Sequence, residues 1–340
     1  IPRPKESPYV SRELFSRLLQ CNHCNSDNLN FDKANFSNTL KPEGKITCNE
    51  CESVMPFVNG VLIAGKRNWT QNQKRNAYVY SDFWERSDEA IKYQRVTHED
   101  ELIESWRKSF GKGILLDAGC GSGRHLSHWT QTDVKADTFV MVDISDSIFQ
   151  CRRYYEEINC SKPVIFIQSS VSKMPIKKQS ITSTWSSGVL GLLEDQQHAI
   201  GELCRVSKRD IILGVLTEKT IAGKIYIAAN LVKPFFNKVR NMNLLFMLSG
   251  LMARIALILL KILNFSNVKL PFIRKVHLNN ILNDPNAVVR LQHSLYDPII
   301  IPKIIKHPDS KYVEWGEKYD FKLKAHQTEI ICDYFHFNKM

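Results

Sequence analysis

The stretch LLDAGCGSGRHL, Leu115 to Leu126, is a short apolar run that ends in Asp117 and passes through Gly119, Gly121 and Gly123 into helix-compatible sequence. Glycines at a strand-to-helix turn let the backbone reverse sharply and approach a ligand, and the helix N-terminus beyond favours electron-rich groups. The next apolar run, FVMVDIS, carries Asp143 about twenty residues after the glycines, where an acid can accept the hydroxyls of a ribose. Three more apolar runs follow, PVIFIQ, ITSTWSSG and DIILGVL, with helix-like segments between them. Short strands alternating with helices predict a parallel sheet covered on both faces, hence an α/β fold. Glycine turns also serve purely structural ends, and a dinucleotide oxidoreductase uses a similar turn and acid. Its third glycine would stand at position 124, which here is Arg124.

On these residues the segment 111–216, with the terminal strand pair, resembles the class I S-adenosylmethionine-dependent methyltransferases, whose motif D-x-G-x-G-x-G precedes an acid at the end of the second strand. The resemblance implies a Rossmann-like seven-stranded sheet with an antiparallel last strand and the cofactor at the carboxyl ends of the strands. It would place Asp117, Gly119, Cys120, Gly121 and Gly123 at the methionine end, and Asp143 with Ile144 at the ribose and adenine. In the third unit, FIQSSVSKMPI has Ser170 and Val171 where relatives commonly carry an Asp facing the adenine, so a hydroxyl or backbone contact must serve. By the same resemblance, the fourth strand, ITSTWSSGVLGLLED, would place Ser187 and Gly188 near the methyl group. Gly191 and Leu192 stand where many relatives carry His.

The chain has 340 residues, enough for a large hydrophobic core. Its nine cysteines are an odd number, and four fall in two C-x2-C pairs, Cys21 with Cys24 and Cys48 with Cys51. This usage suits a reducing compartment, so a cytoplasmic location is expected, peripheral at a membrane if the insertion described below touches one. Paired thiols at this spacing can surround one ion, and four sulphur ligands select zinc. The segment resembles the zinc ribbons that precede several methyltransferase families or accompany them as separate subunits. Four protein ligands leave no open position for water, so the metal would be structural.

Lys and Arg outnumber Asp and Glu by 46 to 35, a net charge of +11. Between Lys219 and Asn283 there are ten Lys or Arg and no acid, and the same segment holds the most apolar run, Leu244 to Leu263. That run is long enough to cross a bilayer, but Arg254 near its centre opposes this. Asn243, Gly250, Arg254 and Lys261 fall on one helical stripe with apolar residues elsewhere, which predicts a helix buried on most sides, in a lid or in a membrane interface. Lys233, Lys238, Arg240, Lys269, Arg274 and Lys275 flank it and suit an anionic membrane surface.

The expected organisation is a zinc ribbon over 1–66, a helical linker over 67–110, the cofactor-binding core over 111–218, a basic apolar helical insertion over 219–310, and the last helix with the strand pair over 311–340. In the insertion, His293, Tyr296 and Asp297 are the candidate catalytic groups that would orient an acceptor. The expected reaction transfers the sulphonium methyl of S-adenosylmethionine to a small-molecule or lipid-linked acceptor. RNA methylation is the alternative for so basic a chain, and a non-catalytic binding subunit is a third.

Overall fold

The computed structural model describes residues 10–37, 41–65, 69–94, 106, 109–130, 134–158, 160, 162–217, 219–220, 223–224, 226, 231, 236, 239, 241–265, 282–301, 304–329 and 332–340. Of the residues singled out above, Lys233, Lys238, Arg240, Lys269, Arg274 and Lys275 lie outside these, as does part of the expected linker, residues 95–105.

Chain order begins with α1 (Arg12–Leu18) and five short strands: β1 (Leu29–Asn30), β2 (Ala34–Asn35), β3 (Glu43–Cys48), β4 (Val54–Val58) and β5 (Val61–Ile63). Helix α1 falls in a region whose sequence reads as β-rich. Ser11 caps it by accepting the Leu14 amide hydrogen at 3.1 Å, and Phe15 and Leu18 turn one face inward. A long helix, α2 (Gln71–Gln94), leads into the core. There follow β6 (Gly113–Ala118), α3 (Leu126–Trp129), β7 (Ala136–Asp143), α4 (Ser147–Glu157), β8 (Val164–Gln168), β9 (Ile181–Ser187), α5 (Gln196–Val206) and β10 (Ser207–Val215). After the insertion, with α6 (Met242–Phe265) and α7 (Ala287–Ile300), the chain ends in α8 (Asp309–Lys318), β11 (Phe321–Thr328) and β12 (Asp333–Lys339).

The core strands lie in the order β8-β7-β6-β9-β10-β12-β11. β8, β7, β6, β9 and β10 pair in parallel, while β12 runs antiparallel to both β10 and β11. This is the seven-stranded arrangement that the glycine motif implied. The chain reverses its direction of winding at β6 and β9, so the carboxyl ends of these strands open a crevice there.

The cysteine-bearing segment is not set apart from this sheet. β5 pairs in parallel with β8, Val61 to Ile63 lying beside Phe166 to Gln168, and β4 and β3 continue outward antiparallel. Phe15, Ile46, Met55 and Leu62 share one buried cluster with Val140, Val142, Ile165 and Ile167. A second cluster on the other face joins Trp129, Trp185 and Tyr334 to residues of α2, α6 and α7.

Helix α6 departs from the expectation of burial on most sides. Only Leu245, Ser249, Gly250 and Ala253 are buried along it, because α7 covers a single face and nothing among the described residues covers the opposite one.

Candidate active site

The glycine turn begins where β6 leaves the sheet. The amides of Gly119 and Cys120 both donate to the Val142 carbonyl on β7, at 2.7 and 3.0 Å, which ties the turn to the neighbouring strand. Asp143 closes the arrangement from the end of β7. Its Oδ2 accepts the Gly121 amide hydrogen at 2.8 Å, and its Oδ1 accepts from the amide and hydroxyl of Ser145 at 2.8 and 2.5 Å. The carboxyl group is buried, which raises its pKa, while these donors pull it back down. Oδ2 takes one of these donors and Oδ1 two, and the Ile144 amide also lowers the pKa. Ile144 is half-buried, and its carbonyl accepts from Gln168 Nε2 at 3.3 Å.

Asp117 lies beneath the turn. It is 2% exposed; its Oδ2 accepts the Trp129 indole hydrogen at 2.8 Å and stands 3.9 Å from His125 Nδ1. Burial pushes its carboxyl up to about 7, and the same burial, with the Arg124 charge, holds His125 well below the usual imidazole range. Cys120 is buried against Cys151, and burial raises its thiol well above the usual range. These contacts make Asp117 and Cys120 the floor of the turn.

The raised Asp117 pKa has a testable consequence. Folded protein holds this proton up to about pH 7, whereas the unfolded chain releases it near about pH 4, so this group's contribution to stability falls as pH rises through that window. Asp117→Asn keeps an acceptor for Trp129 and removes the charge. Urea unfolding without cofactor should show the variant more stable than the parent by at least about 1 kcal/mol at about pH 8, the gain shrinking as pH falls. A constant difference across that range would show that Asp117 does not carry the effect.

Ser170 and Val171 follow β8. Ser170 Oγ accepts from Gln73 Nε2 at 3.0 Å and from the Ser172 amide at 3.2 Å, while Val171 is buried. A cavity of about 320 Å³ opens beside Ser170, bounded by Asn22 and Gly65 of the cysteine-bearing segment, Trp69, Gln73 and Lys173 among others. At the end of β9, Ser187 Oγ and Tyr334 OH are 3.3 Å apart. Gly188, with φ +75°, has open space where a side chain would stand: a Cβ there meets nothing within 4 Å. That conformation favours glycine, while the space would itself admit a side chain.

Helix α2 supplies groups that the motif did not reveal. Trp84 lies against the turn, so that a Cβ on Gly121 would come within 2.7 Å of its ring. Gln73 meets Ser170, and the Ser81 hydroxyl accepts the Asp146 amide hydrogen at 2.8 Å. Tyr80 is half-buried, and the desolvation of its hydroxyl together with the charges of Asp297 and Asp143 holds that hydroxyl well above its ordinary pKa. Ala77, Tyr80 and Trp84, spaced three and four apart, mark one face of the helix; the spacing shows the face and not what it covers.

The candidate catalytic trio comes together on α7. Tyr296 is fully buried and donates to Asp82 Oδ2 of α2 at 2.6 Å, the same carboxylate that Arg86 grips at 2.7 and 2.8 Å. His293 packs against Phe83 and Phe246, and burial lowers its imidazole to about 4. Asp297 accepts the hydroxyl hydrogen of Tyr226. Of the three, Asp297 is the one whose charge acts on Tyr80, as that of Asp143 does.

The four paired cysteines converge as their spacing suggests. Cys21 and Cys51 Sγ are 3.5 Å apart, Cys24 and Cys48 Sγ 3.6 Å, and all four sulphurs lie within 4.8 Å of one another. Tetrahedral zinc with bonds of about 2.3 Å needs sulphurs somewhat under 4 Å apart, so the donor set fits that ion.

Residues 116–213 match a family model described as a methyltransferase domain. These residues therefore form a methyltransferase domain, in the strand order of the class I S-adenosylmethionine-dependent enzymes. The chain is 22% identical over 167 residues to an uncharacterised chloroplastic methyltransferase of Arabidopsis thaliana, an alignment covering 48% of this chain and 46% of that protein. It is 27% identical over 126 residues to the malonyl-(acyl-carrier protein) O-methyltransferase of Buchnera aphidicola, covering 37% and 47%. The chain thus spans about half the length of the curated relatives it matches. Among solved structures, magnesium protoporphyrin IX methyltransferase from Synechocystis PCC 6803 with bound S-adenosylmethionine aligns with a TM-score of 0.43 at 9% identity, covering 80% of this chain and 99% of that one.

Proposed function

We propose that the chain transfers the methyl group of S-adenosylmethionine to a small-molecule or lipid-linked acceptor held between Gly188 and α7. The observation that carries this reading is Asp143: a buried acid at the end of the second core strand, joined to the glycine turn through the Gly121 amide, the place from which an acid can bind a ribose. Ser170 and the cavity beside it suit the adenine end, with Gln73 and Trp69 on its wall. Gly119, Gly121 and Gly123 would bring backbone amides to the methionine end, over the floor formed by Asp117 and Cys120.

The bound cofactor supplies an electrophilic methyl on a positively charged sulphur. The residues of the chain orient the acceptor and exclude water, which is where most of the rate in such a displacement arises. Ser187 and Gly188 would flank the acceptor from the sheet side, and Tyr80 with Asp297 from the helical side. Asp297 is the group we assign to taking a proton from the acceptor, with His293 and Tyr296 fixing α7 against α2. The match to a malonyl carrier-protein O-methyltransferase favours a small acyl or hydroxyl acceptor. One zinc held by Cys21, Cys24, Cys48 and Cys51 would stabilise the attached strands without entering the reaction.

The test is calorimetric titration with S-adenosylmethionine, followed by methyl-radiolabel transfer into metabolite, lipid and RNA fractions. Cofactor binding with label in metabolite or lipid is the expected result. Label in RNA alone would overturn the acceptor class, and absence of cofactor binding would reduce the chain to a non-catalytic relative.

A further inference from the structure

Among the described residues, helix α6 is fastened to the protein along one side only. Gln292 of α7 donates to the Phe246 carbonyl at 2.9 Å, and a Cβ on Gly250 would stand 3.0 Å from the same amide group. Phe246 packs against Tyr296, ring centres 5.2 Å apart, with the Arg86 guanidinium over its other side at 5.0 Å. Arg86 also donates to Asn243 Oδ1 at 2.7 Å.

The opposite side faces outward and is apolar. Met247 is 70% exposed, Leu251 54%, Ile255 50%, Ile258 58% and Phe265 92%. They recur at steps of four, four, three and seven, which aligns them along nearly the whole helix, about 36 Å at 1.5 Å per residue. Arg254 and Lys261, seven apart, lie along one border of this stripe and are exposed. A continuous apolar surface of this extent marks a place of contact.

Charge decides what covers it. The segment from Lys219 to Asn283 has ten Lys or Arg and no acid. A second copy of the chain would bring a like-charged segment against this one, and a nucleic acid would engage the basic side chains and leave the apolar stripe in water. An anionic bilayer satisfies both, since acyl chains accept the stripe and head groups attract the cations at its border. The packing on α7 also decides the orientation. α6 has the length and hydropathy to cross a membrane, but crossing would strip Ser249, Gly250 and Ala253 from α7 and break the Asn243 contact with α2.

We propose that α6 lies in the plane of an anionic membrane, its outward stripe inserted at the boundary of head groups and acyl chains. Resting on the methyl-transfer reading above, this assigns the acceptor to amphiphiles dissolved in the bilayer, because the other side of the same helix roofs α2 and α7.

The experiment uses the full chain in co-sedimentation with vesicles of phosphatidylcholine alone and of equal parts phosphatidylcholine and phosphatidylglycerol, at low and high salt, with cofactor affinity measured alongside. Binding to the anionic vesicles that weakens with salt is expected. The triple variant Leu251→Ser, Ile255→Ser, Ile258→Ser should lose at least about tenfold in vesicle affinity while binding S-adenosylmethionine like the parent, which shows that it is folded. Arg254→Ala with Lys261→Ala should lose less and flatten the salt dependence. A parent that stays in the supernatant at low salt while monodisperse without detergent overturns the proposal. So does a dimer that the triple variant dissociates, or RNA binding that depends on Arg254 and Lys261 and not on the stripe. Vesicle binding without cofactor binding would instead remove the methyl-transfer reading and leave the membrane contact standing.

Discussion

Replacing Asp143 with alanine is expected to weaken S-adenosylmethionine by roughly 1.5–3 kcal/mol, the range for losing charge-assisted hydrogen bonds. Two losses contribute: the acceptor for the ribose, and the bond that ties the Gly121 amide to the end of β7. Asp143→Asn separates them, since its carbonyl can keep one amide partner while the charge is gone. Ser145→Ala removes only the hydroxyl donor at 2.5 Å and should cost much less. Calorimetric dissociation constants check the series, with thermal unfolding as a control. Equal affinity in the alanine variant would mean that the cofactor lies elsewhere.

Cys24→Ser or Cys48→Ser should abolish metal binding and destabilise the strands from β1 to β5. Structural zinc contributes on the order of 10 kcal/mol in peptides that fold only around it. Here the loss would be smaller, because Ile46, Met55 and Leu62 are already buried in the shared core. Metal analysis of protein purified without chelator should give one zinc per chain in the parent and none in the variants, and amide exchange should accelerate in β3, β4 and β5. Cys204→Ser, remote from the cluster, is the matched control. A parent without zinc, or variants that exchange like it, would refute the site.

The order of the core strands was legible because its signals are local. The glycine turn, Asp143 and the alternation of apolar runs each state a backbone requirement within a few residues. The four cysteines were legible for the same reason. What α2 covers was not, since the spacing of Ala77, Tyr80 and Trp84 shows that one face is buried without naming Gly121 as its partner. Val61 to Ile63 is only three residues long, too short to announce a strand, yet it joins the cysteine-bearing segment to β8. On α7 the sequence drew attention to His293, Tyr296 and Asp297. Their distinct partners, an aromatic pair, Asp82 and Tyr226, follow from helix packing and not from residue type. For α6, composition suggested burial on most sides, and only the position of α7 shows which side is covered.

The two outermost of the seven core strands are protected in different ways. A bare outer strand offers unpaired amides and carbonyls to any other extended chain and so invites aggregation. At the β11 end, Lys322 and Lys324 alternate with Phe321 and Leu323 and face outward, and such charges discourage a further strand from adding. β8, by contrast, is apolar and fully buried, VIFIQ, and carries no charge of its own. Its protection is β5, held in turn through β4 and β3 to the cysteine knuckles. Solubility of the whole chain is therefore tied to the thiols: oxidising or chelating conditions that loosen the knuckles would uncover β8 and promote precipitation, and would disturb the wall that Asn22 and Gly65 give the cavity beside Ser170.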